Sequence, residues 1–158
     1  MDDDRPARAM ITSARPDTAD AMLLIAELEA HLDPRYPPAS RHGLSVEQLI
    51  SQDVAFFVLR WDGAPAGCGG VKMTGDGYGE IKRMYVRPHC RGRGFATMIL
   101  GHLAEYARAR GVGVLRLETG IYQREAIGLY ERMGFYRIAP FGDYTADPLS
   151  VYLEMRLA

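Results

Sequence analysis

The segment 86–96 constrains this chain most, because it places two glycines between an apolar, strand-like run and a long amphipathic helix. Gly92 and Gly94 leave the backbone free to adopt positive φ angles and to approach a ligand closely. The helix that follows directs its unpaired N–H groups and the positive end of its dipole toward the same turn. Such a turn is typical of a site for a phosphorylated group, and Arg91 and Arg93 add positive charge to it.

Length and composition predict one compact domain over residues 1–158. The chain has 158 residues, of which 47% are hydrophobic and 25% are charged, as expected for a soluble globular protein with a sizeable core. The net charge of −1 gives no general basis for binding nucleic acid. No apolar run approaches the length that spans a membrane, so we expect no membrane partner.

Cysteine usage and the first residues bear on the compartment. Cys68 and Cys90 are the only cysteines, and their spacing does not form a disulfide framework. The chain opens with Met-Asp-Asp-Asp rather than with a cationic, apolar leader. These features predict a reducing, cytoplasmic location, and the charged residues 1–7 are expected to be disordered.

Apolar periodicity and turn signals predict an α/β fold with the order β-α-α-β-β-β-α-β-α-β-β. A mixed sheet with helices on its faces is the natural architecture for this order. Asp17 is expected to cap the first helix, and Ser45 with Gln48 is expected to cap the second. The pair Asp62-Gly63 predicts a tight hairpin between two strands.

Three kinds of phosphate-binding turn can be compared with segment 86–96. A P-loop requires Gly-Lys followed by Ser or Thr, whereas Gly94 precedes Phe95 and Ala96, which excludes that kind of site. A dinucleotide-binding turn is a closer rival, since Glu118 ends the next strand as in that fingerprint. There, however, the first glycine follows its strand almost directly, whereas here residues 87–91 intervene and an antiparallel meander comes first. An oxidoreductase is therefore the weaker alternative.

The residues Arg91-x-x-Gly94-x-Ala96 match the Arg/Gln-x-x-Gly-x-Gly/Ala signature of the GNAT superfamily, the acyl-CoA-dependent N-acetyltransferases. Residues 84–88 (Met-Tyr-Val-Arg-Pro) resemble the strand and proline that precede the signature in that family. Residues 126–135 (Ala-Ile-Gly-Leu-Tyr-Glu-Arg-Met-Gly-Phe) resemble its later helix and Gly-Phe exit. The order of elements from residue 54 to 138 also agrees. The resemblance implies a GNAT-like fold with a central, splayed mixed sheet.

The resemblance also implies acetyl-CoA as the co-substrate. In GNAT proteins the strand before the turn splays from its neighbour, and its free backbone groups pair with the pantetheine arm like an added strand. An N–H group at the end of this strand could also stabilise the oxyanion of the reaction. The pyrophosphate is expected on backbone N–H groups of the turn. The strand residues concerned are Met84, Tyr85 and Val86, and those of the turn are Arg91, Gly92, Arg93, Gly94, Phe95 and Ala96.

Acetyl transfer to an amine requires a base for the amine and an acid for the departing thiolate. Tyr130 lies where GNAT proteins often carry a tyrosine near the sulfur, and it is the candidate acid, although a core role is the alternative. Glu80 and Glu118 are both candidate bases, because burial would raise a carboxyl pKa and suit it to proton transfer. Glu80 could instead pair with Lys82 or Arg83 on the sheet. An Asn often follows the strand of Glu118 in the family, and Thr119 stands there instead.

The acceptor pocket is expected at the ends of the chain and in its loops, where the resemblance is weakest. Tyr36, His42, Arg83, Asp143 and Tyr144 are the candidate acceptor-binding residues, each with a solvated loop or sheet face as the alternative. No Cys/His set has ligand spacing, so no metal is expected.

The residues and the resemblance together predict an N-acetyltransferase that moves acetyl directly from acetyl-CoA to a small amine or amino-acid-like molecule. Cys90 lies in the phosphate turn, away from the thioester, so a covalent acetyl-enzyme is not expected. A non-catalytic acyl-CoA sensor on the same fold is the main alternative. Homodimers are common in the family, but these residues reveal no interface.

Overall fold

The structure is a computed structural model that describes residues 8–157; the expectation of disorder in residues 1–7 lies outside this range. Within it, seven strands and four helices follow in the predicted order, with short 3₁₀ turns at Pro38–Ser40 and Pro88–Cys90. The strands are β1 (Ala9–Ser13), β2 (Ala55–Trp61), β3 (Ala64–Met73), β4 (Gly79–Val86), β5 (Val114–Gly120), β6 (Tyr136–Ile138) and β7 (Ser150–Arg156). The helices are α1 (Ala19–Leu32), α2 (Val46–Ser51), α3 (Phe95–Ala109) and α4 (Arg124–Arg132).

The described strands form one mixed sheet in the order β1-β2-β3-β4-β5-β7-β6. All neighbours are antiparallel except β4 and β5, which run parallel because α3 carries the chain across between them. The β2–β3 connection is the predicted hairpin: Asp62 has a φ of 50° and Gly63 a φ of 82°, as a turn with two left-handed residues requires. These observations confirm the predicted mixed α/β fold.

Local capping was predicted correctly for one helix and wrongly for another. Ser45 and Gln48 form a capping box, in which Ser45 Oγ accepts from Gln48 N at 3.2 Å and Gln48 Oε1 accepts from Ser45 N at 2.9 Å. The N-cap position of α1 is held by Thr18 and not by Asp17. The Asp17 carboxylate instead accepts hydrogen bonds from Arg15 at 3.1 and 3.0 Å, so a neighbouring cation outcompeted the helix N–H groups.

Two apolar clusters cover opposite faces of the sheet, and β2 shows the alternation that separates them. Phe56 and Val58 belong to the cluster beneath α1 and α2, whereas Phe57 and Leu59 belong to the cluster beneath α3 and α4. Both faces of the sheet are therefore covered by helices.

Strands β4 and β5 separate soon after they meet. Their only pairs in the described chain are Gly79 with Leu115 and Glu80 with Arg116. Beyond Glu80 the β4 edge on this side has no partner strand among residues 8–157, which leaves backbone N–H and C=O groups free in a wedge-shaped gap. The predicted splay of the central sheet is therefore present.

A bulge in β4 accompanies the splay. The register against β3 shifts between Cys68 and Gly70, and Arg83 adopts a φ of 55°, which is uncommon for a residue other than glycine. Close packing requires glycine opposite the bulge, because a Cβ on Gly69 would lie 2.7 Å from Met84 Sδ. Bulges re-aim side chains, and this one turns Arg83 toward the α1–α2 connection.

Candidate active site

The turn before α3 has the open backbone that its glycines predicted. Gly92 and Gly94 adopt φ angles of 78° and 80°, and a Cβ at either position would meet no atom within 4 Å. Gly94 immediately precedes α3, so the free N–H groups of the first helical turn face the same space. The Arg91 Nε donates to the Val86 carbonyl at 3.0 Å, which ties the turn to the end of β4.

Arg93 does not direct its side chain to this space. Its guanidinium lies 4.1 Å from the centroid of the Trp61 ring, a cation–π contact that anchors the turn to β2. Among the turn residues Arg91, Gly92, Gly94, Phe95 and Ala96 line the adjacent cavity, and Arg93 can contribute its backbone N–H alone. The sequence offered no signal for this contact, because the two residues lie on separate elements far apart in the chain.

A large cavity of about 650 Å³ runs along the free edge of β4, the turn and the start of α4. Met84, Tyr85 and Val86, which were expected to bind the pantetheine arm, line it. Four basic residues that sequence reasoning missed also line it: His31, Arg35, Arg124 and Arg132. The cavity is therefore long, positively charged and bordered by unpaired backbone groups.

A small cavity of about 130 Å³ lies on the other side of the β4–β5 gap. Four of the five predicted acceptor residues line it: Tyr36, His42, Arg83 and Tyr144. The fifth, Asp143, is exposed on the loop beside Tyr144 and does not line it. The large and small cavities share Leu28, Met84, Gln123, Ala126 and Tyr130.

Tyr130 lies where the two cavities meet. The residue is 6% exposed, its ring packs edge-on against Phe135 at 5.5 Å between centroids, and no group within residues 8–157 hydrogen-bonds its hydroxyl. Burial raises the pKa of this hydroxyl well above its usual range, because the anion would lose hydration. The hydroxyl is therefore protonated at neutral pH, and no described group uses its hydrogen-bonding capacity.

The two candidate bases differ in their surroundings. Glu80 is held by an ion pair with Lys82 Nζ at 2.8 Å and by a hydrogen bond from the Tyr144 hydroxyl at 2.6 Å; it does not line the small cavity. Glu118 lines that cavity and accepts a hydrogen bond from Ser150 Oγ at 2.7 Å. Burial raises the pKa of Glu118, and the hydrogen bond from Ser150 partly opposes the shift.

The α1–α2 connection forms one wall of the small cavity and is fixed at two points. The Tyr36 hydroxyl accepts hydrogen bonds from Tyr122 N at 3.0 Å and Gln123 Nε2 at 3.4 Å. Arg83 Nε donates to the Leu44 carbonyl at 2.9 Å, and its guanidinium also pairs with Glu29. These contacts join the connection to β4 and to the start of α4.

Among residues 8–157, no group of three or more His, Cys, Asp and Glu side chains is arranged to hold a metal ion. None of the helices described above is both long and apolar enough to cross a membrane.

A splayed mixed sheet, a glycine turn before a helix and a cavity along the free strand edge define a class of acyl-CoA-dependent transferases. The model of the acetyltransferase (GNAT) family matches residues 24–135, and the chain belongs to this family of N-acetyltransferases. Membership excludes the dinucleotide-dependent oxidoreductase. The family uses acetyl-CoA.

Individual relatives agree with this assignment. The chain is 43% identical over 135 residues to an IAA acetyltransferase of Azospirillum brasilense, which covers 85% of this chain and 88% of that protein. A Klebsiella pneumoniae structure described as an acyl-CoA N-acyltransferase has a TM-score of 0.80 and 35% identity, covering 95% of this chain and 98% of that one.

A more distant structure shares the fold alone. It is N-acetylglutamate synthase from Neisseria gonorrhoeae, complexed with coenzyme A and N-acetyl-glutamate. Its TM-score is 0.75 at 22% identity, covering 96% of this chain and 36% of that one.

Proposed function

We propose that this N-acetyltransferase binds acetyl-CoA in the large cavity and an amine in the small cavity, and transfers acetyl directly between them. The observation that carries the proposal is the meeting of the two cavities at Met84 and Tyr130. A thioester at this point would face the amine on one side and the Tyr130 hydroxyl nearby. The acceptor is a small molecule, since the small cavity has a volume of about 130 Å³.

Donor binding uses backbone groups for most of its contacts. The free edge of β4 at Met84, Tyr85 and Val86 pairs with the pantetheine amides as an added strand. The N–H groups from Arg91 to Ala96 bind the pyrophosphate, which the helix dipole of α3 also favours. Arg124 and Arg132, which line the same cavity, supply charge for the remaining phosphate.

The reaction needs proton transfers at the nitrogen and at the sulfur, for which Glu118 and Tyr130 are positioned. Glu118 accepts a proton from the ammonium form of the acceptor, and its raised pKa favours this role. The neutral nitrogen attacks the thioester carbonyl, and a backbone N–H at the end of β4 stabilises the oxyanion. As the C–S bond breaks, Tyr130 donates its proton toward the sulfur, and the second proton lost by the attacking nitrogen restores the tyrosine hydroxyl. Glu80 remains the alternative base, but its ion pair with Lys82 supports a structural role.

The proposal is tested by following release of the coenzyme A thiol from acetyl-CoA with a panel of amines, amino acids and peptides. We expect thiol release with at least one small amine, and none when the only amine offered is a peptide from a protein tail. Failure of every amine, with coenzyme A still bound, would instead favour a non-catalytic acyl-CoA sensor.

The donor site is tested with Gly94→Glu, which places a carboxylate at the proposed phosphate site. We expect coenzyme A binding to be lost. Gly111→Glu is the matched control, because Gly111 has a φ of 77° and nothing within 4 Å of its Cβ position, at the other end of α3. Normal coenzyme A binding by Gly94→Glu would contradict the assignment of the turn.

A further inference from the structure

Two buried polar atoms in the small cavity wall have no hydrogen-bond partner. In the part of the chain that the structure describes, Arg41 Nε and His42 Nε2 are the only side-chain nitrogen or oxygen atoms that are fully shielded from solvent and lack one. The two residues are consecutive, and both line the small cavity. Their coincidence at one place is the strongest unexplained feature of the molecule.

Buried polar groups are almost always paired in folded proteins, and an unpaired one destabilises the fold. A single exception could be a local irregularity of packing. Two adjacent exceptions on the wall of a binding cavity indicate instead that the missing partner is a ligand atom. Because Arg41 Nε carries a proton at all relevant pH values, that partner is a hydrogen-bond acceptor.

The neighbouring contacts hold both side chains in place. The Arg41 guanidinium forms an ion pair with Asp33 through Nη1, which leaves Nε free on the other side of the group. The His42 ring packs edge-on against Tyr144, with 5.2 Å between centroids and an interplanar angle of 88°. Both nitrogen atoms are therefore held at the cavity wall in the ligand-free protein.

The other charges of the cavity show where an acceptor amine fits. Lys82 and Arg83 are neutralised by Glu80 and Glu29 respectively. Glu118 has only the hydrogen bond from Ser150, so within the described chain it is the lining carboxylate without a cationic partner. The cavity thus has a carboxylate to receive an ammonium group and, separately, the Arg41 Nε–H donor and the His42 Nε2 atom, which donates in its Nε2–H tautomer, to receive an anionic oxygen.

We infer that the acceptor is an amino acid whose carboxylate is bound by Arg41 Nε and His42 Nε2 while its amine faces Glu118. This inference rests on the proposed function and names the substrate class of the same site. The two nitrogen atoms are shielded from solvent, so the carboxylate reaches them by a small shift of segment 40–42. That segment lies between the fixed points at Tyr36 and Leu44. A simple amine makes only the contact to Glu118.

The test compares L-amino acids with their C-terminal amides and with the corresponding decarboxylated amines, in the same thiol-release assay. We expect at least one amino acid to have a kcat/KM about 10- to 100-fold above that of its amide, the range for hydrogen bonds to a charged group. Arg41→Gln and His42→Phe should each reduce the ratio of kcat/KM for the amino acid to kcat/KM for its amide toward one. They should do so mainly by raising KM for the amino acid, with little effect on the amide.

Arg108→Gln is the matched control, because Arg108 forms a comparable ion pair with Glu105 on the outer surface of α3. It should leave the ratio of amino acid to amide unchanged. Coenzyme A binding, measured by titration calorimetry, reports whether each variant is folded with its donor site intact. If His42→Phe fails this check, Arg41→Gln alone decides, since its side chain is 27% exposed and tolerates substitution.

The outcomes separate this inference from the proposed function. Equal or better turnover of amides and decarboxylated amines overturns the inference and leaves the transferase intact. A ratio that Arg41→Gln and His42→Phe do not change also overturns it, as expected if the two nitrogen atoms bind only a trapped water. No thiol release with any compound of the three series contradicts the proposed function, and the inference falls with it.

Discussion

At the scale of single residues, burial raises the pKa of both groups to which we assign proton transfers. It raises the pKa of the Tyr130 hydroxyl, which therefore keeps its proton until a strong acceptor develops beside it. It also raises the pKa of Glu118, which makes this carboxylate a better proton acceptor. One physical cause, loss of hydration, thus keeps Tyr130 protonated and makes Glu118 a stronger base. Because a raised pKa also weakens Tyr130 as an acid, its proposed role depends on its position where the two cavities meet.

Replacing Tyr130 by Phe should lower kcat about 100-fold or more, the usual effect of losing a positioned general acid. Since no described group hydrogen-bonds the hydroxyl, its removal should leave the melting temperature and coenzyme A affinity nearly unchanged. Steady-state thiol release and thermal unfolding measure the two effects. Tyr136→Phe is the control, because Tyr136 is exposed on β6. Equal activity of the two variants would remove Tyr130 from the mechanism.

Replacing Glu118 by Gln should lower kcat/KM by about 100-fold or more at neutral pH. In the native enzyme kcat/KM should rise as pH passes through the raised pKa of Glu118, because only the carboxylate accepts a proton. The amide of the Glu118→Gln variant cannot titrate, so this rise should vanish from the pH profile and leave only the ionisation of the amine. Glu105→Gln, at an exposed position on α3, should retain the native profile.

Glu118→Gln is expected to raise stability at neutral pH although it lowers activity. A raised carboxyl pKa means that the folded state binds the proton more tightly than the unfolded state does. The contribution of Glu118 to stability is therefore complete below its ordinary pKa of 4.5 and is lost as pH rises through the raised value. Glu118→Gln should melt at a higher temperature than the native protein at pH 7, and the difference should disappear near pH 4. An unchanged difference at both pH values would contradict the raised pKa.

At the scale of elements, the α1–α2 connection packs against the end of β5, and this packing requires glycine at position 120. A Cβ on Gly120, the last residue of β5, would overlap the Tyr36 ring and hydroxyl. The ring would have to move, and its hydrogen bonds from Tyr122 and Gln123 would break. The Tyr36 side chain can therefore form the wall of the small cavity only because residue 120 has no side chain.

Gly120→Ala should destabilise the fold by about 1–3 kcal/mol and raise KM for the acceptor more than it changes kcat. Gly113→Ala is the control, because Gly113 lies just before β5 and its Cβ would meet nothing within 4 Å. Thermal unfolding and acceptor kinetics of the two variants provide the comparison. If both behave alike, Tyr36 does not fix the cavity wall.

Elements whose conformation depends on adjacent residues could be predicted from the sequence. The left-handed backbone at Gly92 and Gly94, the hairpin at Asp62-Gly63 and the capping box at Ser45 follow from chemistry within a few positions. The order of elements follows from the spacing of such signals. The prediction failed at Asp17, where Arg15 competed for the same carboxylate over an equally short distance.

Contacts between distant segments could not be predicted in the same way. The stacking of Arg93 on Trp61, the pairing of Tyr36 with the start of α4 and the hydrogen bond from Tyr144 to Glu80 each join residues on elements far apart in the chain. Each depends on how the splay and the bulge in β4 orient neighbouring side chains. Four of the five candidate acceptor residues line the small cavity, but their partners, and hence which carboxylate lacks a cationic partner, required the structure.

At the scale of the whole molecule, the sheet has a weak seam between β4 and β5. Only two residue pairs join these strands in the described chain, whereas seven residue pairs join β5 and β7. A pantetheine arm that adds hydrogen bonds along the free edge of β4 would therefore bridge the two halves of the sheet. Binding of the donor and stability of the whole fold should be coupled.

Coenzyme A at about 100 times its Kd should stabilise the protein by about 2.7 kcal/mol, because it binds the folded state alone. For a domain of this size that corresponds to a rise in melting temperature of about 5–10 °C. Gly94→Glu should abolish the rise, whereas Gly111→Glu should retain it. NAD at the same concentration should cause no shift, since nothing in the described turn positions a nicotinamide dinucleotide. Equal shifts in melting temperature with NAD and coenzyme A would mean that the cavity binds nucleotides without specific contacts to the pantetheine arm. That result would contradict the proposed pairing of this arm with β4.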